Sequence, residues 1–211
     1  MKIRLFPEGI PFRKRLFDLV LTIPGLILLT PFLAVIALII WVVDGAPVTF
    51  RQARPGYHGR IFKVIKFRSM KDLRDDHNHL LPDEMRVSRL GQFMRTTSLD
   101  ELPELLNVLV GEMSLVGPRP LLVRYLDRYN QEQARRHDVL PGLTGWAQIN
   151  GRNTLDWEGK FALDVWYVDH WSLALDIKIL LLTIWKVIKR EGISPPDQMT
   201  TDEFMGNDKP Q

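Results

Sequence analysis

Cysteine is absent from the 211-residue chain, which excludes a disulfide framework and any thiolate metal centre. A dominant charge is absent too. Lys and Arg number 28 against 25 Asp and Glu, giving a formal net charge of +3 and a pI near 9.2. That mild basicity suits an anionic membrane surface or an anionic substrate, and it falls short of a polybasic nucleic-acid binder. There is no Walker A sequence, dinucleotide glycine fingerprint or Ser-His-Asp arrangement, so those routes to nucleotide or acyl chemistry are excluded. Internal repeats and low-complexity tracts are also lacking.

What is abundant lies in the first quarter. Residues 19–43 form one apolar run with no charged side chain, long enough to cross the hydrocarbon core of a bilayer. The run is too long for a signal peptide and no small-residue cleavage site follows it, so the expectation is that it is retained. Pro24 and Pro31 lie inside it. Basic residues flank both ends: Arg13, Lys14 and Arg15 before it; Arg51, Arg54, Arg60, Lys63, Lys66 and Arg68 after it. A simple span carries its positive excess on one side. Two cytoplasmic-looking flanks suggest instead a segment that enters and leaves the same leaflet, bent where Pro31 removes a backbone donor and Thr30 can back-bond to an upstream carbonyl. Hydropathy alone leaves a kinked span and a re-entrant hairpin both open.

Beyond residue 44 the pattern is that of a small mixed domain. Residues 48–52 and 61–70 read as strands around a turn at Arg54-Pro-Gly-Tyr-His-Gly59. Residues 71–84 read as a charged surface loop leading into a short helix. That loop makes His77 and His79 solvated rather than metal ligands. Helices are expected from Ser88 to Arg95, from about Ser98 to Val110, from Leu121 to His137, from Trp157 to His170 and from Leu173 to Lys189. The last has an amphipathic face suited to the core or to a membrane interface. The end of the chain, after Gly192, reads as a polar, loosely ordered tail.

The sharpest local feature is Arg95-Thr-Thr-Ser-Leu-Asp-Glu-Leu-Pro-Glu104. Ser98 and Glu101 have the spacing of a capping box. Alternatively Asp100 is the N-cap and Pro103 falls in the first turn. Either start places Asp100 and Glu101 at a helix N-terminus, where a cap alone would account for them. Lys66, Arg68, Arg95, Arg119 and Arg152, however, each sit in or beside a short motif rather than in a charge run. Arg119 lies between two prolines, a rigid mount suited to bidentate phosphate recognition. An acid pair among such cations fits phosphoryl transfer, where positive groups balance phosphate oxygens. A membrane-anchored basic adaptor is the non-enzymatic alternative.

Five motifs occur in order: Lys14-Arg-Leu-Phe-Asp18, Lys66-Phe-Arg-Ser-Met70, Ser98-Leu-Asp-Glu-Leu-Pro103, Gly117-Pro-Arg-Pro120 and Pro141-Gly-Leu-Thr-Gly-Trp-Ala-Gln-Ile-Asn-Gly-Arg-Asn153. Together they resemble the bacterial sugar transferases called monotopic polyprenol-phosphate phosphoglycosyl transferases, most closely the small single-domain ones. The resemblance implies transfer of a phosphosugar from a UDP-sugar to undecaprenyl phosphate, with Mg2+ as cofactor and UMP released. It implies an N-acetylated amino sugar such as diacetylbacillosamine, with N-acetylglucosamine or galactose as alternatives. Asp100 maps onto the nucleophile and a metal ligand, and Glu101 onto its acidic partner. Lys66, Arg95, Arg119 and Arg152 map onto phosphate contacts, Asp176 onto a further polar site position, and Thr30-Pro31 onto the break of the re-entrant helix.

The implied fold class is α+β, mostly α-helical. Residues 1–44 would be a re-entrant membrane hairpin, 45–192 a cytosolic catalytic domain with amphipathic interfacial helices and a short β-hairpin, and 193–211 the tail. The expected setting is the cytosolic face of the bacterial inner membrane, with downstream glycosyltransferases as partners and no nucleic acid.

Overall fold

A computed structural model of the chain describes residues 4–151, 155–189 and 203–207. Arg152, one of the expected phosphate contacts, lies outside the described residues, as does most of the tail.

Helix α1 (Phe12–Asp44) carries Pro24 and Pro31 and stays helical through both. The expected hairpin is therefore not two separate helices. The Thr30 hydroxyl donates to the Leu26 carbonyl at 2.7 Å, the back-bond that accompanies a helix bend. Beyond Asp18 the helix is apolar on every face until Asp44. Its buried residues nevertheless lie towards its two ends, and Leu26 and Leu29 between them are only partly covered by the core. Lys14, Arg15, Asp18, Leu19 and Thr22 are enclosed near the start, and Ile36 and Ile40 near the finish. Between them Ile27 and Leu28 are 72 % and 80 % exposed. A helix of this length extends about 50 Å if straight. Both of its ends rest on the same folded domain.

Strands β1 (Thr49–Pro55) and β2 (Ile61–Phe67) form an antiparallel hairpin with Thr49 opposite Phe67 and Pro55 opposite Ile61. Phe67 and Met94 receive Ile36 and Ile40 of α1. Arg68, just past β2, donates to the carbonyls of Asp44, Gly45 and Ala46 and so caps the C-terminus of α1. After the surface loop come the short α2 (Asp83–Arg86) and α3 (Arg89–Thr97), whose N-cap Ser88 accepts from the Gly91 amide. Ser98 is left-handed (φ 56°) and ends α3. A 3-10 turn (Leu99–Glu104) then leads into α4 (Leu105–Val110). Neither expected cap forms, because Ser98 is spent on reversing the chain and no side chain caps the turn.

Two parallel strands, β3 (Ser114–Val116) and β4 (Gly142–Thr144), sit beneath α1. A Cβ on Gly142 would lie 2.1 Å from the Gly117 nitrogen, so only glycine permits this approach. Residues 121–137 break into a 3-10 turn (Val123–Arg128), α5 (Gln131–Ala134) and a second 3-10 turn (Arg135–His137), not one helix. The short α6 (Trp146–Asn150) follows, then α7 (Trp157–His170) and α8 (Leu173–Lys189), both where helices are expected, α8 from its amphipathic spacing. On α8 Ile179 is fully buried while Leu181, Ile184 and Trp185 are more than half exposed. That helix therefore serves the core with one face and leaves another apolar face bare.

Candidate active site

Lys66 and the acid pair come together because of one buried amide. Asn107 of α4 accepts from the Ile65 amide at 3.0 Å and donates to the Lys63 carbonyl at 2.8 Å. It acts as a third strand beside β2 and fixes the register of Lys66 against the 3-10 turn. Lys66 Nζ then lies 2.8 Å from Glu101 and 3.1 Å from Glu104. Arg119 reaches Glu101 from the other side through both terminal nitrogens. Its backbone is held by the β3–β4 pairing, where Gly117 donates to Thr144 and Gly142 donates to Pro118. Arg136 secures the same stretch: it donates to the Arg119 carbonyl at 2.8 Å while pairing with buried Asp164 at 2.7 Å.

The two adjacent acids are in opposite electrostatic states. Burial alone would raise the Glu101 carboxyl, but Arg119 and Lys66 outweigh it and hold Glu101 well below the usual carboxylate range. Asp100 is pushed up to about 6, first by burial and then by the charge of Glu101. Lys66, Arg119 and Arg95 pull the other way and do not prevail. No described residue makes a hydrogen bond or ion pair with the Asp100 carboxylate. Glu101 is committed, and Asp100 is available.

A cavity of about 270 Å³ opens beside this cluster, with Arg54, Lys66, Glu104 and Arg119 among its lining residues. Leu121, Leu122, Tyr125 and Trp157 belong to the apolar part of the lining. Asp100 is not among the lining residues. It borders the cavity through its neighbours. Among the described residues the Arg54 guanidinium makes one side-chain hydrogen bond, to the neutral Gln52, while the charges of Glu104 and Glu101 act on it without direct contact. Burial and the adjacent Arg119 bring its guanidinium down to about 10. The cavity thus gathers Arg54, Lys66 and Arg119 around one lining carboxylate, Glu104, an excess of positive charge that suits phosphate oxygens.

Of the residues expected from sequence, Asp100, Glu101, Lys66 and Arg119 are brought together. Arg95 stands close enough for its charge to act on Asp100, and it donates to the Ser69 hydroxyl at 3.0 Å. Asp176 is elsewhere. It is fully buried under α1, 2.7 Å from Lys14, and accepts from Tyr167 at 2.8 Å and Trp171 at 3.2 Å. Its expected place at the substrate is corrected to a strut for the membrane helix, because every side of the carboxylate is already partnered. Sequence reasoning passed over Arg54 and Glu104. The signals were the rigid Arg54-Pro-Gly turn and an acid three residues beyond Glu101.

Among the described residues no group of three or more His, Asp or Glu side chains could hold a metal unaided. Mg2+ commonly takes one or two carboxylates and completes its shell with water and substrate phosphates. The unpartnered, desolvated oxygens of Asp100 fit that role.

A helical anchor long and apolar enough to enter a membrane, joined to an acid pair beside a cationic cavity, has the parts that a membrane-associated enzyme acting on a phosphorylated substrate requires. The family model described as "Bacterial sugar transferase" matches residues 10–190, and the chain belongs to that family. It is 53 % identical over 194 residues to the "Uncharacterized sugar transferase EpsL" of Bacillus subtilis, covering 92 % of this chain and 96 % of that one. It is 45 % identical over 183 residues to the "UDP-glucose:undecaprenyl-phosphate glucose-1-phosphate transferase" of Escherichia coli, and 41 % identical over 198 residues to the "UDP-galactose-lipid carrier transferase" of Erwinia amylovora. These matches take in 82 % and 86 % of this chain but only 39 % and 41 % of those two longer proteins.

Proposed function

We propose that this chain transfers a sugar phosphate from a UDP-sugar to undecaprenyl phosphate, releasing UMP and so starting assembly of a glycoconjugate. The observation that carries this reading is the split between the two acids: Glu101 neutralised by Lys66 and Arg119, Asp100 unpaired beside a cationic cavity. In the first step an Asp100 oxygen attacks the sugar-proximal phosphorus. The bond from that phosphorus to the bridging oxygen breaks, and UMP leaves with the electron pair. In the second step an oxygen of the lipid phosphate attacks the same phosphorus and the Asp100 carboxylate is regenerated. Splitting the transfer lets one site serve a soluble donor and a membrane-bound acceptor in turn.

Arg54 and Arg119 meet the phosphate oxygens, and Glu101 holds Lys66 and Arg119 in place. Mg2+, held by Asp100 and the substrate phosphates, would neutralise charge on the diphosphate as it is cleaved. The donor sugar is the N-acetylated amino sugar suggested by the motifs or a hexose, as the names of the E. coli and Erwinia relatives suggest for those proteins.

The anchor supports the same reading. A straight span would carry one end of α1 across a hydrocarbon core of about 30 Å. Both ends rest on one domain, and much of the apolar surface along the helix is bare. We read α1 as re-entrant, dipping into the cytosolic leaflet of the inner membrane, with the site at the height of the acceptor's phosphate. Cysteines introduced singly near residues 5 and 55 of this naturally cysteine-free chain should be labelled from the same side. Labelling from opposite sides would overturn the topology.

The test of the chemistry is intact-protein mass spectrometry with Mg2+ and donor but no acceptor, across UDP-diacetylbacillosamine, UDP-N-acetylglucosamine, UDP-glucose and UDP-galactose. One donor should add the mass of its phosphosugar and release UMP, and undecaprenyl phosphate should then remove the adduct. Absence of both adduct and UMP with every donor would defeat the proposal.

A further inference from the structure

Residues 203–207 are about a hundred positions from the acid pair in sequence, yet they dock directly behind the catalytic cavity. Phe204 is 1 % exposed. Its ring meets Phe161 at 5.0 Å, Tyr125 and Trp157 at 5.7 Å and Tyr129 at 5.9 Å between centroids. The Phe204 amide donates to the Tyr125 hydroxyl at 3.3 Å, and Arg128 donates to the Phe204 carbonyl. Glu203 pairs with Arg124 and Arg128, each at 2.8 Å. Asn207 accepts from Gln133 at 2.6 Å and completes the attachment. The sequence reading of this segment as a loose polar tail is therefore corrected for residues 203–207: one buried ring and two ion pairs fasten it to the domain.

Two of the rings that Phe204 touches, Tyr125 and Trp157, line the same cavity as Arg54 and Arg119. A flat base joined to a diphosphate matches both sets of side chains, with phosphates against Arg54 and Arg119 and the base against the aromatic wall. Stacking on such a wall is worth about ten- to a hundredfold in affinity per base. We propose that Glu203 and Phe204 form a latch that holds Tyr125 and Trp157 in place for the uracil ring of the donor. Phe204 is thus a positioning residue, enclosed behind the wall and acting through it. The proposal rests on the donor being a uridine diphosphate sugar.

The test measures UMP and inorganic pyrophosphate binding to the full chain in lipid nanodiscs by calorimetry, alongside steady-state kinetics. Phe204→Ala should weaken UMP about tenfold, equivalent to about 1.4 kcal/mol, and leave pyrophosphate within about twofold. KM for the UDP-sugar should rise by the same factor at unchanged kcat, and Phe204→Leu should recover most of the loss. Tyr125→Ala should resemble Phe204→Ala, with the double variant little worse than either, since the two act as one unit. Glu203→Gln, which keeps the ring, should weaken UMP about threefold and secures the test if the alanine variant fails to fold. Equal losses of UMP and pyrophosphate, a fall in kcat at constant KM, or unchanged UMP affinity would each overturn the latch. Native protein that binds UMP but forms no phosphosugar adduct would defeat the transferase reading while leaving the latch standing.

Discussion

Two carboxylate–lysine clusters, one under α1 and one beside the cavity, are built to opposite ends. Under α1, Lys14 joins Asp18 at 3.4 Å and Asp176 at 2.7 Å. Ser114 donates to Asp18, and Tyr167 and Trp171 donate to Asp176, while Asp18 Oδ2 is buried without a hydrogen-bond partner. All three charged groups are almost wholly enclosed. At the cavity, Lys66 and Arg119 share Glu101, and Asp100 beside it is left with no partner. The first cluster locks a helix to the domain, because a buried charge with its partners in place resists any movement that would separate them. The second keeps one carboxylate in reserve at the cost of raising its proton affinity. Similar residue types give a strut in one place and a reactive group in the other, and the number of partners makes the difference.

Substitutions sharpen that contrast. The largest effect is expected from Asp100→Asn, which should lower turnover by at least about a thousandfold and abolish the adduct, because an amide is a poor nucleophile and a catalytic unit fails when its nucleophile is lost. Substantial residual UMP release would remove Asp100 from that role.

Asp176→Asn should behave quite differently. It leaves Lys14 without its nearest counter-charge and should cost about 3–5 kcal/mol of stability, read as a large fall in melting temperature with kcat/KM per folded molecule little changed. A raised KM at unaltered stability would return Asp176 to the substrate.

Glu101→Gln is expected to fall between these two. Loss of the charge that organises Lys66 and Arg119 should reduce kcat by about a hundredfold, the scale of one lost electrostatic contact in a site. Full activity would show that the cations hold their positions unaided.

The raised proton affinity of Asp100 makes two further predictions. Its folded-state value of about 6 lies above the ordinary 3.8, so the native protein binds this proton more tightly than the unfolded chain. Ionisation therefore subtracts stability, beginning above pH 4 and complete above about pH 6. Asp100→Asn should accordingly be the more stable protein at pH 7, by up to about 3 kcal/mol, and the two melting curves should converge below pH 4. A gap that persists at pH 3.5 would mean that the amide gains something other than relief from burial. In the free enzyme kcat/KM for the donor should fall about tenfold per unit as the pH drops below 6, and a profile flat down to pH 4.5 would contradict it.

Much of the fold is legible in the chain. The β1–β2 hairpin follows from short strand-like runs around Arg54-Pro-Gly, and α8 follows from its amphipathic apolar spacing. Residues 121–137 were misread as one helix because local spacing cannot weigh the pull of Phe204 and Asp164 on Tyr125 and Arg136, which the fold draws in different directions. The turn at Ser98 was misread for a similar reason. A serine before an acidic pair has the pattern of a cap, and only the approach of α3 to β2, with Gly91 against Ser69, forces it into a left-handed bend instead. Asp176 shows the limit most plainly. It stands among the charged residues of α8, but in the fold it alone of them is drawn into the core, where Lys14 pairs with it, while Lys178 stays exposed.

The sequence by itself determined that this chain has a membrane-seeking helix, that its catalysis needs no thiol, and that an Asp-Glu pair accompanies several rigidly mounted cations. Those properties are carried by residue type and short spacing, which survive without a fold. Which acid is free, which is neutralised and which serves as a strut was decided by the tertiary structure alone. Proton affinity and reactivity depend on how far each carboxylate is removed from water and which charges stand within a few ångströms of it. Those distances join residues as far apart as Lys14 and Asp176, or Lys66 and Glu101.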